Sequence, residues 1–272
     1  MRGLARGSAR GTARRSWLSV AVAPLVALVL LLAGWEALAR VLEIPAWLLP
    51  PPSLIGLAAA RDGSTLLGAS FITGRAALVG FGLSAVVGAL TAIILSSSRL
   101  LERALYPYTI FLQTVPIVAI APLLVLWFGP GPRAVAVSSF IVSLFPVIAN
   151  TLTGLRSVEP ALRDLFRLYG ARRLATLWKL ELPAALPHMV TGLRVASGLS
   201  VIGAIVGEFV AGFSEGSAGL GILVLSAYRQ FRTDLLFAAV LAASVLGLLL
   251  FGAVSLVGAR LLRRWHPAAS ET

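Results

Sequence analysis

The chain contains 272 residues, of which 58% are hydrophobic and only 12% are charged, and its mean hydropathy is +0.92. This composition excludes an ordinary soluble domain and is typical of a membrane protein with several spans. The formal net charge of +12 does not indicate a nucleic-acid-binding face, because 22 of the 23 basic residues are arginines placed between apolar runs.

Residue types that build metal and thiol sites are scarce in this sequence. Cysteine is absent, which excludes disulfides and thiolate chemistry, and two histidines, His188 and His266, are too few for a zinc cluster. No Gly-x-x-x-x-Gly-Lys-Ser/Thr motif and no arrangement like a catalytic triad or acid pair is present. We therefore predict no catalytic, cofactor-binding or metal site in the chain.

Six apolar runs are long enough for transmembrane helices, which need about 20 residues each. They predict an all-α polytopic protein with one transmembrane domain, residues 18–265, between a basic tail, residues 1–17, and a second tail, residues 266–272. The predicted spans are Leu18–Leu42, Leu66–Leu95, Ile110–Phe128, Ala134–Leu155, Val190–Phe213 and Leu235–Leu262.

The first span follows an arginine-rich start in which residues 13–18 resemble a twin-arginine export signal. A cleaved signal is therefore an alternative to a retained helix. We favour the retained helix, because the apolar run exceeds signal-peptide length and no convincing cleavage site precedes Trp35 and Glu36.

Small residues recur at helical spacing in the second span, where Gly80, Ser84, Gly88 and Ala92 share one face. Small side chains let helices approach closely in lipid, so we interpret this face as packing within one subunit.

The third span is interrupted by proline. Pro107, Pro116 and Pro122 each remove a backbone donor, so we expect the helix to kink or unwind. Gln113 and Thr114 stand just before the middle break, where freed carbonyls must face a cavity or protein. Gln113, Thr114 and Pro116 are therefore candidates for a pathway or for subunit packing.

A charged segment, residues 156–187, separates the fourth and fifth spans and cannot lie in lipid. We call it the insert. We predict that Ser157 caps its first helix, that Pro160 occupies the first turn, and that residues 163–169 continue the helix. Gly170 is expected to end it in the left-handed conformation.

A second short helix, residues 172–180, is expected to stop at Pro183 and Pro187. The first helix carries an apolar face on a charged rod, formed by Leu162, Leu165, Phe166 and Tyr169. Such a rod fits a groove on a partner protein. An interfacial helix on lipid headgroups is the alternative.

Charge distribution predicts the orientation of the chain. With the insert in the cytoplasm, seventeen basic residues lie inside and six lie outside. Both termini are therefore predicted to be cytoplasmic in a multi-pass protein of the cell membrane.

The fifth span carries a longer stripe of small residues, which we interpret as a surface shared with a second copy or lining a pathway. Its members are Gly192, Ala196, Ser200, Gly203, Gly207 and Ala211. Glu208, near the outer end of this span, is interpreted as a carboxylate at the external water boundary. Ion-driven transporters usually carry carboxylates at bilayer depth, so ion coupling is disfavoured.

The spacing of the insert is specific. Asp164-Leu165-Phe166 is followed after three residues by Gly170, after nine more by Leu180, and after one more by Leu182-Pro183. This spacing resembles the EAA loop of membrane subunits of binding-protein-dependent ABC importers, with Asp164 in place of the family's glutamate and Leu165 and Phe166 in place of its paired alanines.

Further segments resemble the nitrate/sulfonate/taurine permease branch of that family, and the similarity extends from Trp35 to Leu262. These segments are residues 35–39, 49–53, Arg75, 80–81, 113–129, 145–146, 191–194, Glu208 and 219–221.

This resemblance implies that two permease copies form a pathway for a small solute such as nitrate, a sulfonate or taurine. It also implies two ATPase subunits that hold ATP and magnesium, and an extracytoplasmic solute-binding protein. The implied ATPase-coupling residues are Glu159, Asp164, Leu165, Phe166, Gly170, Ala171, Leu180 and Pro183. A single-chain secondary transporter or channel is the alternative, whereas no residue constellation favours a membrane scaffold or enzyme.

Overall fold

The computed structural model describes residues 9–211 and 218–265, and these two stretches contain helices but no strand. The helices are α1 Ala9–Val41, α2 Pro52–Arg61, α3 Gly63–Ser97, α4 Arg99–Thr114, α5 Ile117–Phe128, α6 Pro132–Arg156, α7 Pro160–Leu168, α8 Arg173–Thr176, a π-turn Leu177–Glu181, α9 Leu182–Ala211, α10 Leu220–Arg229 and α11 Thr233–Trp265.

The predicted all-α polytopic fold is confirmed. Within the described residues, five helical segments are long and apolar enough to cross a membrane: α1, α3, α6, α11 and the continuous segment Arg173–Ala211. Helices α4 and α5 make a sixth candidate span only as a pair, because they meet at a bend of 96°. Phe213 of the predicted fifth span, residues 1–8 and residues 266–272 lie outside the described residues.

Helix α6 is the centre of the bundle and packs against both α3 and α9. The small face of α3 lies against α6, as predicted: a β-carbon on Gly88 would stand 2.8 Å from Cβ of Val147. Buried serines of α6 satisfy their hydroxyls across the interface with α9. Ser138 Oγ donates to the Gly203 carbonyl and Ser139 Oγ donates to the Ser200 carbonyl, each at 2.8 Å. These bonds satisfy the hydroxyls of Ser138 and Ser139 inside the bundle.

Of the three prolines of the third span, only Pro116 coincides with a break in the helix. Pro107 lies within α4 and Pro122 within α5, and both helices continue through them. The break coincides with Pro116, because Val115 before it has left the helical region with ψ of 122°. A residue that precedes proline is pushed towards extended conformations, which explains the position of this break.

Two short helices, α2 and α10, were not predicted. They pack with α3 and α11 around a cluster that includes Ile55, Leu66, Leu220 and Leu235. Nearby, Arg232 Nη2 lies 2.5 Å from Asp62 Oδ2, and this guanidinium lowers the pKa of the Asp62 carboxyl. At ten residues each, both helices are shorter than a span requires, so a search for apolar runs does not find them.

Candidate functional site

The first helix of the insert, α7, projects from the bundle and has no buried residue. Leu168 and Tyr169 at its end are 84% and 82% exposed. Of the predicted coupling residues, Glu159 and Asp164 are exposed, and Asp164 Oδ1 accepts only a local contact of 3.3 Å from Arg167 Nη1. The described chain therefore leaves this rod free to contact another protein on most of its surface.

Gly170 ends α7 as predicted, with φ of +65°. The Ala171 N–H donates to the Phe166 carbonyl at 3.0 Å, and the Gly170 N–H donates to the Arg167 carbonyl at 2.9 Å. These two bonds define a Schellman motif, in which the left-handed residue closes the end of a helix. Three predicted coupling residues, Phe166, Gly170 and Ala171, therefore share one structural element.

At the start of the same helix Pro160 occupies the first turn as predicted, but the predicted cap is wrong. Ser157 does not cap α7; its Oγ donates to the Gly154 carbonyl at 2.8 Å, so it closes the end of α6 instead. Glu159 occupies the cap position of α7 without a capping side-chain hydrogen bond. Only Val158 separates Ser157 from Glu159, so the Ser157 hydroxyl lies close to both the end of α6 and the start of α7. It can serve only one of these helix ends, and it serves α6.

The predicted stop at Pro183 and Pro187 is also wrong, because α9 runs through both prolines. The π-turn that contains Leu180 ends two residues before Pro183, whose missing N–H interrupts the α-helical hydrogen-bond ladder. The second part of the insert therefore continues as one helical segment from Arg173 into the fifth span. This continuous helix connects the insert directly to the fifth span.

Sequence reasoning missed Glu181, the last residue of the π-turn. Its side chain is 2% exposed and contacts two arginines of the insert, Arg163 and Arg173. A single acidic residue between Leu180 and Leu182 in a charged segment does not indicate that two arginines fold back over it. The available signal was its position inside an apolar stretch.

The candidates of the third span lie together at the bend between α4 and α5. Gln113, Thr114 and Pro116 are exposed, and Thr114 Oγ1 donates to the Phe111 carbonyl at 2.8 Å. Gln113 lines a cavity of about 430 Å³ with residues of α5 and α6. The bend therefore places these three candidates beside a cavity, where the proline pattern predicted that freed carbonyls would lie.

The small stripe of the fifth span has a different setting from the one expected. Ser200, Gly203 and Gly207 are buried against α6 of the same chain. A β-carbon on Gly207 would stand 2.9 Å from Cβ of Ser138. The interpretation of these residues as a surface shared with a second copy or lining a pathway is therefore corrected, because α6 already covers the face.

Glu208 is corrected in the same way. It is 3% exposed, so protein atoms enclose the side chain that was expected to face external water. Its Oε1 accepts from Thr73 Oγ1 at 2.8 Å and its Oε2 accepts from the Gly221 N–H at 2.7 Å, while Thr73 Oγ1 accepts from the Leu220 N–H at 2.8 Å. Glu208 therefore ties the start of α10 to α3 and α9.

Comparisons with known proteins agree on one family. The sequence profile of the family described as "Binding-protein-dependent transport system inner membrane component" matches residues 84–264. The formylaminopyrimidine transport permease ThiX of Halalkalibacterium halodurans is 35% identical over 236 residues, 86% of this chain and 92% of that protein. A protein of Bacillus subtilis named as the aliphatic sulfonates transport permease SsuC is 29% identical over 255 residues, 93% of this chain and 90% of that protein.

The fold also resembles a solved membrane transporter. A chain from the inward-facing MetNI methionine ABC transporter matches with a TM-score of 0.61 at 19% sequence identity. The match covers 73% of this chain and 95% of that chain. At this identity the likeness establishes the arrangement of helices.

Proposed function

We propose that this chain, which belongs to the family of binding-protein-dependent transport system inner membrane components, forms the pathway for a small solute and couples it to a separate ATPase subunit. Membership confirms the family that the spacing of the insert indicated. The similarity to SsuC agrees with the sulfonate branch of that family.

One observation carries the coupling part of the proposal: an exposed rod, α7, is joined through a Schellman turn and a π-turn to a membrane-spanning helix. An ATPase that grips α7 would push on a helical segment that extends without a break from Arg173 to Ala211. Such a push biases a bundle between two arrangements, inward-open and outward-open.

We further propose the partners of an importer: two ATPase subunits that bind ATP and magnesium, a solute-binding protein outside the cell, and a second copy of this chain in the cell membrane. The bend at Gln113, Thr114 and Pro116 is the proposed pathway region, because these residues are exposed beside a cavity. The solute class is nitrate, sulfonate, taurine or a similar small molecule. Vitamin precursors remain in that class, in keeping with the similarity to ThiX.

The proposed orientation places both termini and the insert inside. The chain has no native cysteine, so single cysteines introduced at Asp62, Arg133, Ser217 and Leu168 give labelling without background. Ser217 lies outside the described residues. We expect a membrane-impermeant maleimide to label the first three positions in intact cells and Leu168→Cys only after permeabilisation. Labelling of the first three solely from the cytoplasm would reverse the topology.

The proposed energy source is ATP hydrolysed by the partner. In proteoliposomes that hold the assembled complex, uptake of labelled taurine or formylaminopyrimidine is expected to require ATP on the ATPase side and to be insensitive to an uncoupler. The purified chain alone is the control and is expected to hydrolyse no ATP, because it lacks a phosphate-binding loop. Uptake that persists without ATP and collapses with the uncoupler would support the secondary-transporter alternative.

A further inference from the structure

The buried carboxylate of Glu181 lies at a junction of five helical elements. Its Oε1 is 2.9 Å from Arg173 Nη1 of α8 and 3.4 Å from Arg163 Nε of α7. The same two arginines reach beyond it. Arg173 Nη2 donates to the Ser96 carbonyl at the end of α3 at 3.0 Å, and Arg163 Nη2 donates to the Leu155 carbonyl at the end of α6 at 2.7 Å.

The burial of Glu181 makes this cluster unlike the surface ion pair of the insert. Asp164 and Arg167 pair on the surface, with 67% and 80% of their side chains exposed, and such pairs contribute little. Glu181 is 2% exposed, so its charge depends on the two guanidiniums. Glu181 is the buried member of the cluster, whereas Arg163 and Arg173 are 26% and 52% exposed, so the carboxylate needs both guanidiniums to remain charged inside the protein.

The placement of the arginines gives the cluster a mechanical consequence. Carbonyls at helix C-termini carry partial negative charge, and each arginine satisfies one such carbonyl while holding Glu181. The insert is thereby attached to the cytoplasmic ends of two spans, α3 and α6, at the point where the π-turn enters the third, α9. Neither α7 nor α8 has buried apolar residues that would attach it otherwise.

We propose that Glu181 is a positioning residue for coupling: with Arg163 and Arg173 it clamps the insert to α3, α6 and α9, so that they move as one body when a partner pushes on α7. The proposal rests on the proposed coupling function. It assigns no ATPase contact to Glu181, whose burial places it behind the exposed surface of the insert.

The first test measures the attachment on the chain alone. Spin labels at Leu168→Cys in α7 and Leu100→Cys in α4 occupy exposed positions, and the absence of native cysteine makes them unique. In nanodiscs, with spin-diluted protein, we expect Glu181→Gln to broaden the distance distribution at least about twofold, because the clamp no longer holds α7. Lys179→Gln, an exposed charge in the same π-turn, is the matched control and should leave the distribution unchanged.

The second test measures transmission and needs no identified solute. A label at Ile202→Cys on α9 reports the separation between two copies in the complex with the ATPase. Mg-ATP with vanadate is expected to shift this distance in the parent chain. In Glu181→Gln the shift should fall roughly tenfold while the ATPase stays bound and hydrolyses ATP.

A double variant separates a coupling role from a purely structural one. The double variant Glu181→Gln with Arg163→Met removes one negative and one positive charge together. Its Tm should therefore lie between those of Glu181→Gln and the parent chain. The vanadate-induced shift should stay lost, since the clamp is still open. Recovery of both readouts would overturn the inference, as would Glu181→Gln behaving like the parent in both tests. If the parent complex itself shows no ATP-dependent shift, the proposed function fails, and the nanodisc measurement still decides whether the clamp exists.

Discussion

Gly203→Ala is expected to destabilise the folded chain, whereas Gly198→Ala, five residues earlier in the same helix, is expected not to lower its stability. A β-carbon on Gly203 would stand 2.8 Å from Cα of Ser139 and 3.0 Å from the Ser138 carbonyl oxygen, so α6 and α9 would have to separate. A β-carbon on Gly198 would meet nothing within 4 Å. Both changes raise helix propensity by the same amount, so the difference in stability between the two variants measures the packing cost at Gly203.

The expected cost at Gly203 follows from overpacking, which amounts to about 1–3 kcal/mol when backbone has to move. For a chain of this length that corresponds to a fall in Tm of roughly 2–12 °C. Thermal unfolding of both variants in the same detergent measures it. The Ser138 and Ser139 hydroxyl bonds to α9 would lengthen at the same time, which adds to the loss.

The oligomeric state of the Gly203→Ala variant tests whether Gly203 packs within one chain or between two copies. If this stripe were a surface between two copies, the variant would dissociate them without lowering the stability of the single chain. Size-exclusion chromatography with light scattering distinguishes the two results. Equal Tm values for both variants would show that α6 does not cover Gly203.

Periodicity predicted the helices well but could not identify what covers them. The small stripe of α9 was recognised from its spacing, yet spacing shows only that one face is small. The partner is α6, and its buried Ser138 and Ser139 complete the interface with hydroxyl bonds that no pattern in α9 reveals. The same limit applies to Glu208, whose partners Thr73 and Gly221 come from distant parts of the chain.

Local conformation was predictable where a single residue type decides it. Gly170 takes the left-handed conformation because only glycine adopts it without cost, so its role could be assigned from sequence. Pro183 misled for the opposite reason. Proline ends many helices, but here the π-turn before it accommodates the missing donor, and π-turns have no reliable sequence signature.

Gly170→Val and Phe166→Ala are both expected to insert in the membrane and yet fail to retain the ATPase. Gly170 has φ of +65°, and a β-branched residue there costs on the order of 1–2 kcal/mol or displaces α8. Phe166 is partly buried at the same Schellman turn, and we expect its ring to enter a groove on the ATPase. Asp164 would anchor the rod by a charge-assisted hydrogen bond.

Loss of an aromatic anchor from an interface costs a few kcal/mol, which lowers affinity more than about tenfold. Matched controls lie in the same insert. Gly170→Asn introduces a residue that tolerates the left-handed conformation, and Leu174→Ala truncates an apolar side chain that is exposed on α8. Both controls should retain the ATPase.

Co-purification of the ATPase with each variant is the measurement, and membrane insertion is verified by the labelling pattern of Leu168→Cys. The expected result separates the variants into two groups, with Gly170→Val and Phe166→Ala free of ATPase and the two controls bound to it. If all four retain the ATPase as the parent does, α7 is not the coupling element. We would then interpret α7 as an amphipathic helix that lies on the membrane surface. Its arginines would contact lipid headgroups and its apolar face would be buried in lipid without a protein partner.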